Sequence, residues 1–101
     1  FINDTKYSLK VQLYVRKGPH PWEQAPSTEF QLAAGARESH DYGNNDNIYL
    51  NGIGFFVDQG DSVLSQQRFV AVRGKEFDNL LNMNDTIVFS SLDISDISAH
   101  N

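Results

Sequence analysis

The chain reads as all-β: an antiparallel β-sandwich, or a small barrel, of about six or seven strands with one short helical turn near residues 75–82. Three observations predict it. Residues 6–17 alternate strictly between apolar and polar side chains, the period of an extended chain with one dry and one wet face. Clusters of Gly, Pro, Asn and Asp punctuate the rest at short intervals. A single helical stripe occurs, with no strand–helix rhythm of the kind that builds parallel sheets.

In the first strand Tyr7, Leu9, Val11, Leu13 and Val15 fall on one side, opposite Lys6, Lys10 and Arg16. Residues 18–28 hold all three prolines and the only tryptophan, which predicts a semi-rigid loop. Alternation resumes over 28–33 with Phe30 and Leu32 inward, and Ala34-Gly35 is a turn. Residues 36–42 are polar on both sides, an edge strand or an extended loop.

A turn cluster at 43–47 leads to 48–58, the most apolar part of the chain. Asn51-Gly52 is a hairpin signal there. One long strand with bulges at Gly52 and Gly54, which would let both Leu50 and Phe55 be buried, is preferred because a hairpin would leave residues 48–50 very short. A turn at 58–61 precedes a strand over 62–73, whose apolar end, Phe69 to Val72, reads as central. Gly74 stops it. Phe77, Leu80 and Leu81 stand at i, i+3 and i+4, one helical stripe. The last strand is expected over 86–91, and residues 92–101 are expected to form a loosely docked tail.

The 101 residues make one domain, long enough to bury roughly 65% of its unfolded surface. With no cysteine, disulfides and thiolate metal sites are excluded. Thirteen acids against eight bases give a net charge of −5, which disfavours nucleic acid and anionic membranes. No apolar run approaches the roughly 20 residues of a membrane span. Asn3-Asp4-Thr5 and Asn84-Asp85-Thr86 match the N-glycosylation pattern. A start at Phe1 fits a processed or trimmed chain, and the expected setting is secreted or periplasmic.

The three histidines lack the close spacing that begins a zinc site. Ser39-His40-Asp41 resembles a triad written in a row, but on an extended segment His40 points away from both neighbours and shares its face with Glu38. No Gly-x-Ser-x-Gly elbow surrounds any serine. The acids fall mostly at turns, where they satisfy local amides. Asp41, Asn44 and Asp46 offer hard oxygens in one loop and are the calcium candidates, although their spacing is not that of a helical calcium loop. The loop carrying His20, Trp22 and Glu23 is the candidate ligand site: an aromatic platform for a sugar or a peptide, or else a cap on the core.

The leading expectation is a non-enzymatic binding or interaction module with a protein or carbohydrate partner, acting outside the cytosol or as part of a surface protein, and needing no cofactor. The alternatives are a calcium-stiffened carbohydrate-binding domain and a small enzyme whose site, assembled from distant residues, includes His40. The chain is expected as a monomer or as a dimer paired through an exposed edge, such as 36–42 or the tail.

Overall fold

Strand β2, Leu9–Arg16, lies inside a four-stranded sheet with β3 (Gln24–Leu32) on one side and β4 (Leu50–Asp58) on the other. Strand β5 (Val63–Phe69) completes the order β3-β2-β4-β5, antiparallel throughout. A three-stranded sheet is built from β1 (Ile2–Asn3), β6 (Thr86–Phe89) and β7 (Ser98–His100), in the order β1-β6-β7. Helix α1 (Glu76–Asn82) and a 3-10 turn (Ile94–Asp96) join these strands. The computed structural model describes residues 1–20, 22–42, 49–58 and 62–100. The fold is all-β, a sandwich and not a closed barrel.

The period-two pattern of β2 fills the core as its spacing requires. Leu9, Val11, Leu13 and Val15 are all buried, joined by Phe30 and Leu32 of β3 and by Leu50, Ile53, Phe55 and Val57 of β4. Ile87, Phe89, Leu81 and Ile97 meet them from the other layer. Phe55 and Phe89 touch edge to face across it, with ring centroids 6.1 Å apart. Tyr7 departs from the expected inward set and is 43% exposed. The bonds Thr5 N–H to Asn3 Oδ1 and Tyr7 N–H to Thr5 Oγ1 curl the chain before β2 begins, which breaks the alternation.

Strand β4 runs unbroken through Asn51-Gly52, so there is no hairpin. Tyr14 pairs with Gly52 and Val15 with Leu50, leaving Asn51 as the extra residue of a bulge. That one residue shifts the phase, so Leu50 and Phe55 both reach the core. Gly54 lies in regular register with Gln12 and Gln67 and is not a bulge. An added Cβ there would come 2.9 Å from the Gln67 side chain.

Four expectations need correction. First, β3 begins at Gln24, inside the predicted loop. Pro26 is admitted because β3 is an edge strand and its register with β2 shifts beside Tyr14, where a missing donor costs little. The Gln12 amide donates to the Ser27 and Thr28 carbonyls at that irregularity. Second, β5 is the other edge and not central. Third, the tail is docked: β7 pairs with β6, Ile97 is buried, and Asp93 caps the 3-10 turn by accepting from Ser95 N–H. Fourth, one pair, β1 with β6, is parallel.

Residues 36–42 form an extended loop with a single bridge between Arg37 and Ile2. The turn expectations at 43–47 and 59–61 lie outside the described residues. No helix among the described residues is long and apolar enough to cross a membrane.

Candidate binding site

The loop between β2 and β3 is closed by backbone bonds from Lys17 N–H to Glu23 O and from Glu23 N–H to His20 O. Glu23 folds back over Gly18, where a Cβ would lie only 1.5 Å from Oε2 of that carboxylate. Gly18 also has φ of +78°, so glycine is required there on both counts. From the segment after β5, Arg73 donates to the Gly18 carbonyl (3.0 Å) and the His20 carbonyl (2.8 Å). Burial, and then the nearby Arg16 charge, lower the Arg73 pKa, while Asp78 and Glu23 act to raise it. The guanidinium fastens the loop to the end of the sheet.

On this fixed loop His20 and Trp22 stack face to face, with centroids 4.4 Å apart and planes 3° from parallel. Trp22 nonetheless remains 73% exposed. With one indole face covered by the imidazole, the other is turned to solvent. Glu23 Oε1 lies 4.0 Å from His20 Nε2, beyond hydrogen-bond length. The structure thus brings His20, Trp22 and Glu23 together and displays the indole; it does not cap the core.

Beside the indole is an open groove of about 320 Å³ lined by Trp22, Gln24, Phe69, Val70 and Ala71, a size within the usual span of small-ligand pockets. Phe69 packs edge-on against Tyr14 at 4.9 Å and lies over Gly52, whose missing Cβ leaves room for the ring. Gln24 accepts a bond from Asn51 Nδ2 at 2.6 Å, which fixes its amide at the rim. Sequence reasoning missed Phe69, Gln24 and Arg73. The apolar run at 69–72 was the available signal for Phe69; nothing local marks Arg73.

His40 stands elsewhere, stacked on Phe30 with centroids 3.7 Å apart. Its Nε2 is 3.0 Å from Glu38 Oε1, the same-face partner that an extended segment predicts. Ser39 and His40 both line a small cavity of about 130 Å³ with Tyr42 and Asp85. Among the described residues no hydrogen bond joins His40 to Ser39 or to Asp41, so no nucleophile–base pair is assembled there. Burial raises the Tyr42 pKa.

Of the calcium candidates, Asp41 is exposed, and its backbone carbonyl accepts from Thr28 Oγ1. Asn44 and Asp46 lie outside the described residues. Among the described residues no three His, Cys, Asp or Glu side chains gather as metal ligands. Of the two glycosylation patterns, the first falls on an enclosed side chain: Asn3 is fully buried, and its Nδ2 donates to the carbonyls of Tyr7, Leu32 and Ala33. Compared with known proteins, the chain matches no family model, no curated protein and no solved structure.

Proposed function

We propose that the chain is a non-enzymatic recognition module that takes its ligand on the free face of Trp22 and in the groove beside it. The observation that carries this reading is an indole left 73% exposed on a loop that is otherwise tied down. An aromatic ring held in one orientation loses little freedom on binding, so contact with its face is kept as affinity. The ligand that suits it presents a flat apolar ring face, with polar groups at the edge to meet the Gln24 amide. A saccharide ring has that make-up, as does a peptide carrying proline or an aromatic side chain.

Trp22 is the only tryptophan, so its emission reports on this site alone. The probes are neutral β-linked hexasaccharides of glucose and of N-acetylglucosamine, and an array of proline- and aromatic-containing peptides. A saturable change in emission with one probe class is expected. Trp22→Ala, followed by calorimetry, should weaken that binding by about tenfold or more, the loss typical of a central aromatic contact. Binding that persists unchanged in Trp22→Ala, or no response to either class, defeats the reading.

A further inference from the structure

The two edges of the four-stranded sheet are not alike. On β3, Pro26 and the register shift beside Tyr14 interrupt the outer backbone, devices that keep an edge from pairing with another chain. Strand β5 has neither. Its seven residues pair with β4 in unbroken register from Gly52–Phe69 to Asp58–Val63. It contains no proline and one charged residue, Arg68, whose guanidinium lies 4.0 Å over the Phe77 ring.

The direction of its free backbone groups follows from one bond. Val70 N–H donates to Asn51 O at 2.8 Å, toward β4. In an antiparallel pair, successive residues alternate between bonding the neighbour and pointing away from it. Leu64, Gln66 and Arg68 therefore direct their N–H and C=O groups to β4. Val63, Ser65, Gln67 and Phe69 direct theirs outward, and no backbone bond to another strand meets them among the described residues.

We infer that β5 pairs with β5 of a second copy of this chain, antiparallel about a two-fold axis at Gln66, joining two sheets into one. Pairing centred there sets Val63 against Phe69 of the other copy and Ser65 against Gln67, so every outward donor meets an outward acceptor. A centre moved to an adjacent gap between residues would set outward groups against inward ones and lose this match.

The side chains agree with the same register. Val63 (66% exposed) and Phe69 (36% exposed) are the apolar ends of the strand's outer face, with polar Ser65 and Gln67 between them. Self-pairing lays each valine beside the other copy's phenylalanine, a favourable β-branched–aromatic pair. Arg68 falls opposite Leu64, so no like charges meet directly. The joint is isologous and closes at two copies. A single strand pair buries little area, so the dimer is weak and depends on concentration.

The test follows amide hydrogen exchange of the full chain by NMR, alongside sedimentation equilibrium, from micromolar to millimolar concentration. A dimer should grow in over that range. The amides of Val63, Ser65, Gln67 and Phe69 should slow in step with it, while those of Leu64, Gln66 and Arg68 stay as protected as before. Ser65→Pro removes one outward donor without touching the bonds to β4, and should hold the chain monomeric. Should that variant fail to fold, Ser65→Lys/Gln67→Lys leaves the backbone intact and sets lysine opposite lysine, weakening the dimer by about tenfold or more. A chain still monomeric at millimolar concentration overturns the inference. So does a dimer that survives both variants, or one that forms without protecting the outward amides.

Discussion

At the scale of single residues, Asn3 and Trp22 show how position decides what a side chain is for. Both were conspicuous in the sequence, one as a glycosylation pattern and the other as a lone aromatic among prolines. Asn3 proves to be a structural rivet: fully buried, it donates to the Tyr7, Leu32 and Ala33 carbonyls and accepts from Thr5 N–H and Oγ1. These bonds tie β1 to the chain on either side of β2 and β3. Asn3→Ala takes one donor from the buried Leu32 carbonyl and the acceptor from Thr5 N–H, while the Ala33 and Tyr7 carbonyls keep Ala36 N–H and Thr5 Oγ1. Leaving such a group unpaired costs about 1–3 kcal/mol. Urea unfolding of the variant should show that loss through a lower midpoint with an unchanged slope; a midpoint equal to the parent would mean the bonds contribute nothing net. Trp22 is the reverse case, a large apolar residue that the fold holds outside. Tryptophan ordinarily goes inward, so only its placement beside the Phe69 groove separates platform from cap.

Among elements, helix α1 is the one held least by its own sequence. Its seven residues are too few to stand alone, and its N-cap Lys75 makes no side-chain cap bond. Buried Asp78 substitutes. It accepts from Arg16 Nη2 at 3.1 Å, from Gly74 N–H at 2.8 Å and from Asn82 Nδ2 at 2.8 Å. Asn82 in turn exchanges two bonds with the Leu50 backbone, standing in for a neighbouring strand at the start of β4. Asp78→Ala would leave the partly buried Arg16 charge without its carboxylate, a change that costs about 3–5 kcal/mol in comparable buried pairs. Thermal unfolding should show it as the least stable of the single variants considered, and a loss below that of Asn3→Ala would count against this network as the anchor. Elements were legible where one face is dry and the other wet, as in β2. They were misread where apolar residues mark a site. The run at 69–72 suggested a central strand, yet Val70 enters the core while Phe69 lines the groove and Val72 faces solvent. The loop of His20, Trp22 and Glu23 was visible from composition, whereas Arg73, its fastener, lies 53 positions from His20. Such pairings leave no local pattern.

For the whole molecule, the tail decides whether there are two sheets or one. Strand β6 is central to the three-stranded sheet, flanked by the very short β1 and by β7. Leu92, Ile94 and Ile97 follow neither a helical nor a strand period, and aspartates and serines separate them, so residues 92–101 read as fraying. Folded, Ile97 is buried, Leu92 and Ile94 pack on the core, and Ile94 N–H donates to Gln66 Oε1 beneath β5. The second layer over Phe55 therefore depends on residues at the far end of the chain. Removing a buried isoleucine side chain down to alanine costs about 2–5 kcal/mol when the site cannot collapse. A chain of this length has roughly 5–15 kcal/mol in total, so the fraction at stake is large. Ile97→Ala should accordingly lower the urea midpoint markedly. It should also speed amide exchange at Thr86 and Val88, which face β7 opposite His100 and Ser98 because Phe89 O takes Asp4 N–H on the β1 side, while the amides of β2 retain their order of protection. Were the tail only loosely docked, the variant would unfold at the parent's midpoint and β6 would exchange as before. The β5 edge gives an independent reading of the same layer, because the 3-10 turn is tied to Gln66, the residue at the proposed two-fold. If the tail holds β5 in shape for pairing, Ile97→Ala should weaken self-association along with stability, and a dimer unchanged in this variant would show the two layers to be uncoupled.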